Sequence, residues 1–280
     1  MKRLLKSKMA VSGGVVVVLV LIASLLAPWV APYSVKDFTN DLLAPPSVTH
    51  LFGTDSFGRD ALSLVLHSGL ETLGISLLTL VISGLIGIVC GIVSGYVGGW
   101  TDKTLSMAMQ GIMSFPSMMV ALLVMGIFGT IGRASLIGAI SVTLIPRFSM
   151  IMRGATIPAR DAEYVTAAQA LGVSRWRVLW RHIVPNLVTP MVVVCSTYLP
   201  SIILLEASLS FLGFGAPPDA PTWGRIVSEG GKYFRIAPWL VMFPGTVIAV
   251  TVIGFNLLGE GIRDVVDPRI RGKLTAKSVR

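Results

Sequence analysis

Between two long apolar runs stands a charged, helix-prone island, Glu163 to Pro190, reading EYVTAAQALGVSRWRVLWRHIVPNLVTP. The residue types here serve recognition rather than bond-making. Asp161 and Glu163 stand where a helix amino terminus welcomes negative charge. Tyr164, Ala168 and Leu171 recur at i, i+4 and i+7 and so share one helix face. That face is small in the middle, at Ala167 and Ala168, and suits insertion into a partner's pocket. Gly172 falls where a helix ending in a left-handed residue needs glycine, and Ser174 can cap a second helix carrying Trp176, Leu179 and Ile183 as far as Pro185. The product is two short helices joined by a sharp bend. Arg175, Arg177 and Arg181 are then left to meet phospholipid heads or acidic partner residues. The plainer reading is a basic amphipathic helix resting on a membrane.

Other chemistry is sparse. The chain has no Gly-x-x-x-x-Gly-Lys-Ser/Thr phosphate loop, so ATP hydrolysis is not expected of it. His50, His67 and His182 are far apart, and neither a Ser/His/Asp arrangement nor a metal-ligand spacing exists. Cys90 and Cys195 fall in apolar runs, where reduced, packed thiols are expected. Glu206 lies near the end of an apolar run, which favours a structural or gate-lining hydrogen-bond acceptor over a proton relay. Met107, Met109, Met113, Met118 and Met119 cluster around Pro116. Such a pliable wall suits core packing or a pathway admitting varied cargo, with Met113 and Met118 the pathway candidates. Asp55, Arg59 and Asp60 can pair with one another as a structural clasp.

The elements that position these residues are membrane helices. Of 280 residues, 53% are hydrophobic and 13% charged, against about 25% charged in soluble domains. Six runs are long enough to cross a bilayer: Met9 to Val30, Thr72 to Val97, Leu105 to Phe128, Ala134 to Met152, Leu187 to Leu209 and Pro238 to Leu258. With no water to satisfy the backbone, they must be helices, and no alternating pattern signals a barrel. The first run follows Lys2, Arg3, Lys6 and Lys8 but is too long for a signal peptide and lacks a clear cleavage site, so it reads as a retained anchor. Most Lys and Arg fall on one side of these runs, leaving only Lys36, Arg59, Arg133, Arg225, Lys232 and Arg235 on the other. That asymmetry places both termini and the Glu163 island in the cytoplasm. The net charge of +9 then reflects topology and anionic membrane lipid, with no nucleic acid implied. Two extracytoplasmic segments, Ala31 to Glu71 and Leu212 to Ala237, carry proline and glycine at a density that favours ordered turns over a long helix. Gly84, Gly87, Gly91 and Gly95 stand at helix-packing spacing. No internal repeat is visible, which counts against an ion-driven secondary transporter.

Ala167-Ala168-x-x-x-Gly172, followed thirteen residues later by Pro185, resembles the EAA loop of ABC importer permeases. Further segments in order are Gly53 to Asp60, Gly95-Tyr-Val-Gly-Gly99, Arg181-His-Ile-Val-Pro-Asn186, Glu206 to Gly213, Ala237-Pro-Trp239, and Phe255 to Asp264 followed by Asp267-Pro-Arg269. Together they resemble the C-type permease of dipeptide and oligopeptide ABC importers over about Pro32 to Arg271. The resemblance implies an all-α, six-span type I permease. Its parts would be an amino-terminal anchor helix and loop (1–70), a core (71–271) with the EAA loop at 163–190, and a cytoplasmic tail (272–280). It implies a coupling helix with ATPase contacts at Glu163, Tyr164, Ala167, Ala168, Leu171, Gly172 and Arg175. It also implies a homologous second permease, two cytoplasmic ATPase subunits carrying the ATP and magnesium, and an extracytoplasmic solute-binding protein. The setting would be the bacterial cytoplasmic (inner) membrane. The implied cargo is peptide, while nickel, glutathione and opines travel on similar scaffolds. Thr166, His182 and Glu260 depart from the family pattern, which there has glutamate, isoleucine and aspartate.

Overall fold

The computed structural model describes residues 7–215 and 220–266. Lys2, Arg3, Lys6, Pro217, Pro218 and the whole expected tail lie outside these. The described residues form α1 (Lys8–Leu25), α2 (Ala27–Val30), α3 (Ala61–Val97), α4 (Gly99–Met113), α5 (Ser117–Phe128), α6 (Arg133–Arg160), α7 (Glu163–Ala170), α8 (Arg175–Val178), α9 (Val184–Leu209), α10 (Trp223–Gly231) and α11 (Trp239–Val266). Five helices are long and apolar enough to span a membrane, and the bent pair α4 and α5 makes a sixth if counted as one span.

α3 and α6 form the spine. Gly87, Gly91 and Gly95 present bare backbone to α6, and a Cβ on Gly95 would stand 2.8 Å from Thr156 Cβ. The glycine spacing is thus spent inside the chain, on close helix approach. The main core gathers along this seam, with Phe148, Leu136, Ile140 and Met152 fully enclosed. α1 rests on α11 by the same device: a Cβ on Gly254 would stand 2.6 Å from Val16 Cγ1.

The structure corrects several expected boundaries. α3 begins at Ala61 rather than Thr72, so its first turns belong to the helix and not to a loop. Asp60 starts it: its Oδ2 accepts from the backbone N–H and the hydroxyl of Ser63, both at 2.8 Å, and its Oδ1 pairs with His50 Nδ1 at 3.0 Å. Asp60 therefore pairs with His50, while Arg59 Nε binds Asp55 at 2.7 Å. The polar first turns of α3 are sheltered by Trp223, whose indole N–H donates to Val65 O at 2.9 Å and whose backbone N–H donates to Thr72 Oγ1 at 3.0 Å. Trp223 opens α10, a helix of nine residues inside the segment where ordered turns are expected over a long helix.

The expected third span is not one rod. It breaks at Ser114–Pro116, and its arms α4 and α5 meet at 97°. Proline lacks the N–H that would continue the ladder and pushes Phe115 away from helical backbone angles. At the fifth span the opposite holds: Pro185 does not stop the helix. A wide π-turn, Leu179–Ile183, carries α8 into α9, with Val184 N–H bonded to Leu179 O. The widened turn makes room around the Arg181 carbonyl, which the Pro185 ring would otherwise strike. The helical run therefore extends from Arg175 to Phe214 instead of starting at Leu187.

Candidate functional site

α7 hangs between the end of α6 and the start of α8, beyond the apolar runs. Its carboxyl end is a complete Schellman motif. Gly172 takes φ +78, its N–H bonds Gln169 O at 3.0 Å, and Val173 N–H bonds Ala168 O at 3.1 Å. Only glycine holds that left-handed position without a steric penalty. Ser174 has the extended backbone of a helix cap, yet its side chain makes no capping bond, contrary to expectation.

The two faces of α7 are unequal. Val165 is fully buried, and Ala168 and Val173 pack half-buried against the same core. Glu163, Thr166, Ala167, Ala170, Leu171 and Gly172 are exposed. Leu171 is 85% exposed, a large apolar side chain left open at the bend. Ala168 thus belongs to the inner face, not to the outward face shared with Leu171. Tyr164 is exposed but tethered, its hydroxyl accepting from Asn186 Nδ2 at 3.1 Å.

The last turn of α3 anchors this loop. Tyr96 O–H donates to the Arg175 carbonyl at 2.6 Å, and Arg160 Nη1 donates to Gly95 O at 3.0 Å. Arg160 also binds Asp161 at 2.7 Å, and that hydrogen bond holds the exposed Asp161 carboxyl below the usual carboxylate range. Nearby, Arg153 forks onto Asp102 through two bonds of 2.5 and 2.6 Å, fixing α4 to α6. A polar cleft of about 460 Å³ opens between Tyr96, Arg160, Asp161, Thr166, Gln169 and Arg175. Trp100, Trp176 and Trp180 stand exposed at this end of the molecule, as tryptophans do at a membrane interface.

The other singled-out residues do not converge on one site. Glu206 is fully buried in α9, with Oε1 accepting from Ser210 Oγ at 2.7 Å and Oε2 without a hydrogen-bond partner. It lines none of the described clefts. Met118 borders an apolar groove of about 380 Å³ beside Leu204, Ala207 and Phe211. Met113 borders a small niche at the α4–α5 break with Ser117, Thr143 and Arg147. Sequence reasoning passed over Arg147, although a lone arginine between Pro146 and Phe148 within an apolar run was a visible signal.

Fold and site define a polytopic helical membrane protein with an exposed, sharply bent helical loop at one end. The profile of the family described as "Binding-protein-dependent transport system inner membrane component" matches residues 87–272, and that of the "N-terminal TM domain of oligopeptide transport permease C" matches residues 1–46. The chain belongs to the family of binding-protein-dependent transport system inner membrane components. It is 34% identical to a glutathione transport system permease protein of Pectobacterium atrosepticum, over 96% of this chain and 90% of that one. It is 36% identical to a putative peptide transport system permease protein of Brucella suis, over 96% and 91% of the two chains. It is 32% identical to a dipeptide transport system permease protein of Alkalihalophilus pseudofirmus, over 96% and 89%. A chain of the MetNI methionine ABC transporter, solved in inward facing conformations, superposes with a TM-score of 0.58 at 18% identity, covering 73% of this chain and 96% of that one. The architecture is that of a type I ABC importer permease.

Proposed function

We propose that this chain forms half of the translocation pathway of an ATP-driven importer of peptides in a bacterial cytoplasmic membrane, glutathione included among the cargo. The observation that carries the reading is the exposed seat on α7. A small face at Ala167 and Ala170, an open Leu171 and a left-handed glycine end a helix that is tied to α9 through Tyr164 and Asn186, in a loop whose two flanks are fastened to the end of α3. Such a seat suits a closely fitting pocket in a cytoplasmic ATPase, which would supply the ATP and magnesium chemistry. A second, homologous permease would complete the pathway, two ATPase subunits would drive it, and an extracytoplasmic solute-binding protein would deliver cargo. Relatives named for peptide, dipeptide and glutathione transport support the cargo class. Glu163, Tyr164, Ala167, Leu171, Gly172 and Arg175 then form or frame the ATPase contact, and Ala168 supports it from behind.

The test is reconstitution. Liposomes holding both permeases and the ATPase, given the loaded binding protein outside, should accumulate labelled L-alanyl-L-alanine or glutathione only with ATP inside. This chain alone should hydrolyse no ATP and accumulate nothing. Uptake by the chain alone down an ion gradient would replace the proposal with a secondary transporter.

A further inference from the structure

Arg147 differs from the other arginines of α6, Arg133, Arg153 and Arg160, each of which has a carboxylate partner. Two other arginines on α6 mark the depth scale: Arg133 is paired with Glu71, and Arg153 with Asp102. They are twenty residues apart, a rise of about 30 Å, which matches the thickness of a hydrocarbon core. Arg147 lies between them, six residues from Arg153 and so about 9 Å inside. Its hydrogen-bond partner is neutral: Nη2 donates to Ser117 Oγ at 2.9 Å, and no carboxylate among the described residues is within ion-pair reach. Side chains on a helix tilt toward its amino terminus, which for α6 points away from the Arg153 end. Snorkelling to the nearer surface is therefore disfavoured.

Ser117 is the first residue after the 97° break, so the guanidinium faces the one span among the described residues that is bent at a break between two helices. Irregular backbone at membrane depth persists where it is buried in protein or lines a water-filled cavity, and broken spans are where transporters place binding groups. The Arg147 niche shares Ile112, Phe115 and Val120 with an apolar concavity of about 680 Å³ on the inside of the bend. A cationic fork beside a broad apolar hollow fits a solute that carries a carboxylate and an apolar body.

Resting on the reading of this chain as a pathway-forming permease, we infer that Arg147, with Ser117, is a subsite in the translocation pathway that receives a carboxylate of the cargo. Most of the guanidinium donors remain free for a bidentate pair, and the Ser117 hydroxyl can donate a further bond. A fixed positive charge at this depth also disfavours a bare metal cation as cargo.

The assembled importer, with Cys90 and Cys195 replaced by serine and Met113→Cys introduced beside the niche, tests this without relying on uptake. Sulfonatoethyl methanethiosulfonate should modify the new thiol about tenfold faster than its trimethylammonium counterpart. Arg147→Met should bring the ratio near one and Arg147→Lys should keep it. L-alanyl-L-alanine should slow the modification, while its carboxyl-terminal amide should not. Equal rates for the two reagents, a preference that survives Arg147→Met, or no reaction with either overturns the inference. So does loss of the second permease from the Arg147→Met complex but not from Arg147→Lys, which would make Arg147 an interchain ion pair. A charge preference without protection by L-alanyl-L-alanine or glutathione would instead count against the peptide cargo and leave the cationic subsite standing.

Discussion

The hydroxyl of Tyr96 donates to the backbone carbonyl of Arg175 at 2.6 Å, joining the end of α3 to the start of the run that becomes the fifth span. These residues are 79 positions apart, and no regular secondary structure dictates the bond. Tyr96→Phe removes the donor and strands the carbonyl, a loss of about 1 kcal/mol. The expected outcome is an assembled complex whose ATP turnover persists while uptake falls several-fold. Unchanged uptake per ATP hydrolysed would show that the bond does not transmit motion.

Gly172→Val should abolish uptake while leaving membrane insertion intact. The position holds φ +78, where a β-branched residue costs about 1–3 kcal/mol and the two Schellman bonds go with it. Gly172→Asn, which tolerates left-handed backbone, should retain much of the activity. Transport assays on the two variants, each normalised to membrane content, decide the matter.

Ala167→Arg and Ala168→Arg should fail for different reasons. Ala167 is exposed, so the arginine leaves the permease folded and displaces the ATPase from its seat. Ala168 packs half-buried against the core, so the same change destabilises the chain itself, as burial of an unpaired charge does. Co-purification of the ATPase and thermal stability in detergent separate them: normal stability in Ala168→Arg would place that residue on the outer face after all.

Glu206→Gln should preserve assembly. The carboxylate is enclosed, with one oxygen accepting from Ser210 and the other unpaired, and the amide keeps its shape without a charge. Uptake is expected to fall modestly, whereas Glu206→Lys should prevent assembly. Collapse of the glutamine variant would mean that the ionised carboxylate is required by the fold.

Cysteines at exposed Phe57 and Ser174 should label from opposite sides of the membrane, Phe57→Cys from outside and Ser174→Cys from the cytoplasm. The reverse pattern would invert the topology derived from the basic residues.

The apolar runs and the Ala-Ala-x-x-x-Gly spacing made the helical membrane fold and the α7 loop legible in the sequence. Gly172 was readable because a left-handed helix end has a chemical signature. The break at Pro116 was hidden, since both arms are apolar and hydropathy averages across a corner. The orientation of α7 was half legible: periodicity places Tyr164, Ala168 and Leu171 together, but only packing of Val165 against the core fixes which flank turns inward. Pro185 misled because a wide turn absorbs it, and α3 ran past its expected start because Trp223, far off in sequence, shelters its polar turns. Arg147 stands in plain view in the sequence, but the basic-residue asymmetry sorts charges by side of the membrane, and only depth along α6 sets this one apart.

The π-turn at Leu179–Ile183 has a counterpart at Ser210–Phe214, so the run through α9 carries a locally unwound turn near each end. Wide turns yield to torsion more readily than the tight winding between them. Pro190 and Pro200 stand inside α9 between the two wide turns, and each removes a ladder hydrogen bond, so a twist entering at Trp176 would be shared out along the run rather than carried whole to Glu206 and Gly213. Leu204 and Ala207, which border the Met118 groove, lie in the segment between Pro200 and the second wide turn, so the walls of that groove stand on a piece of helix that can turn apart from the rest.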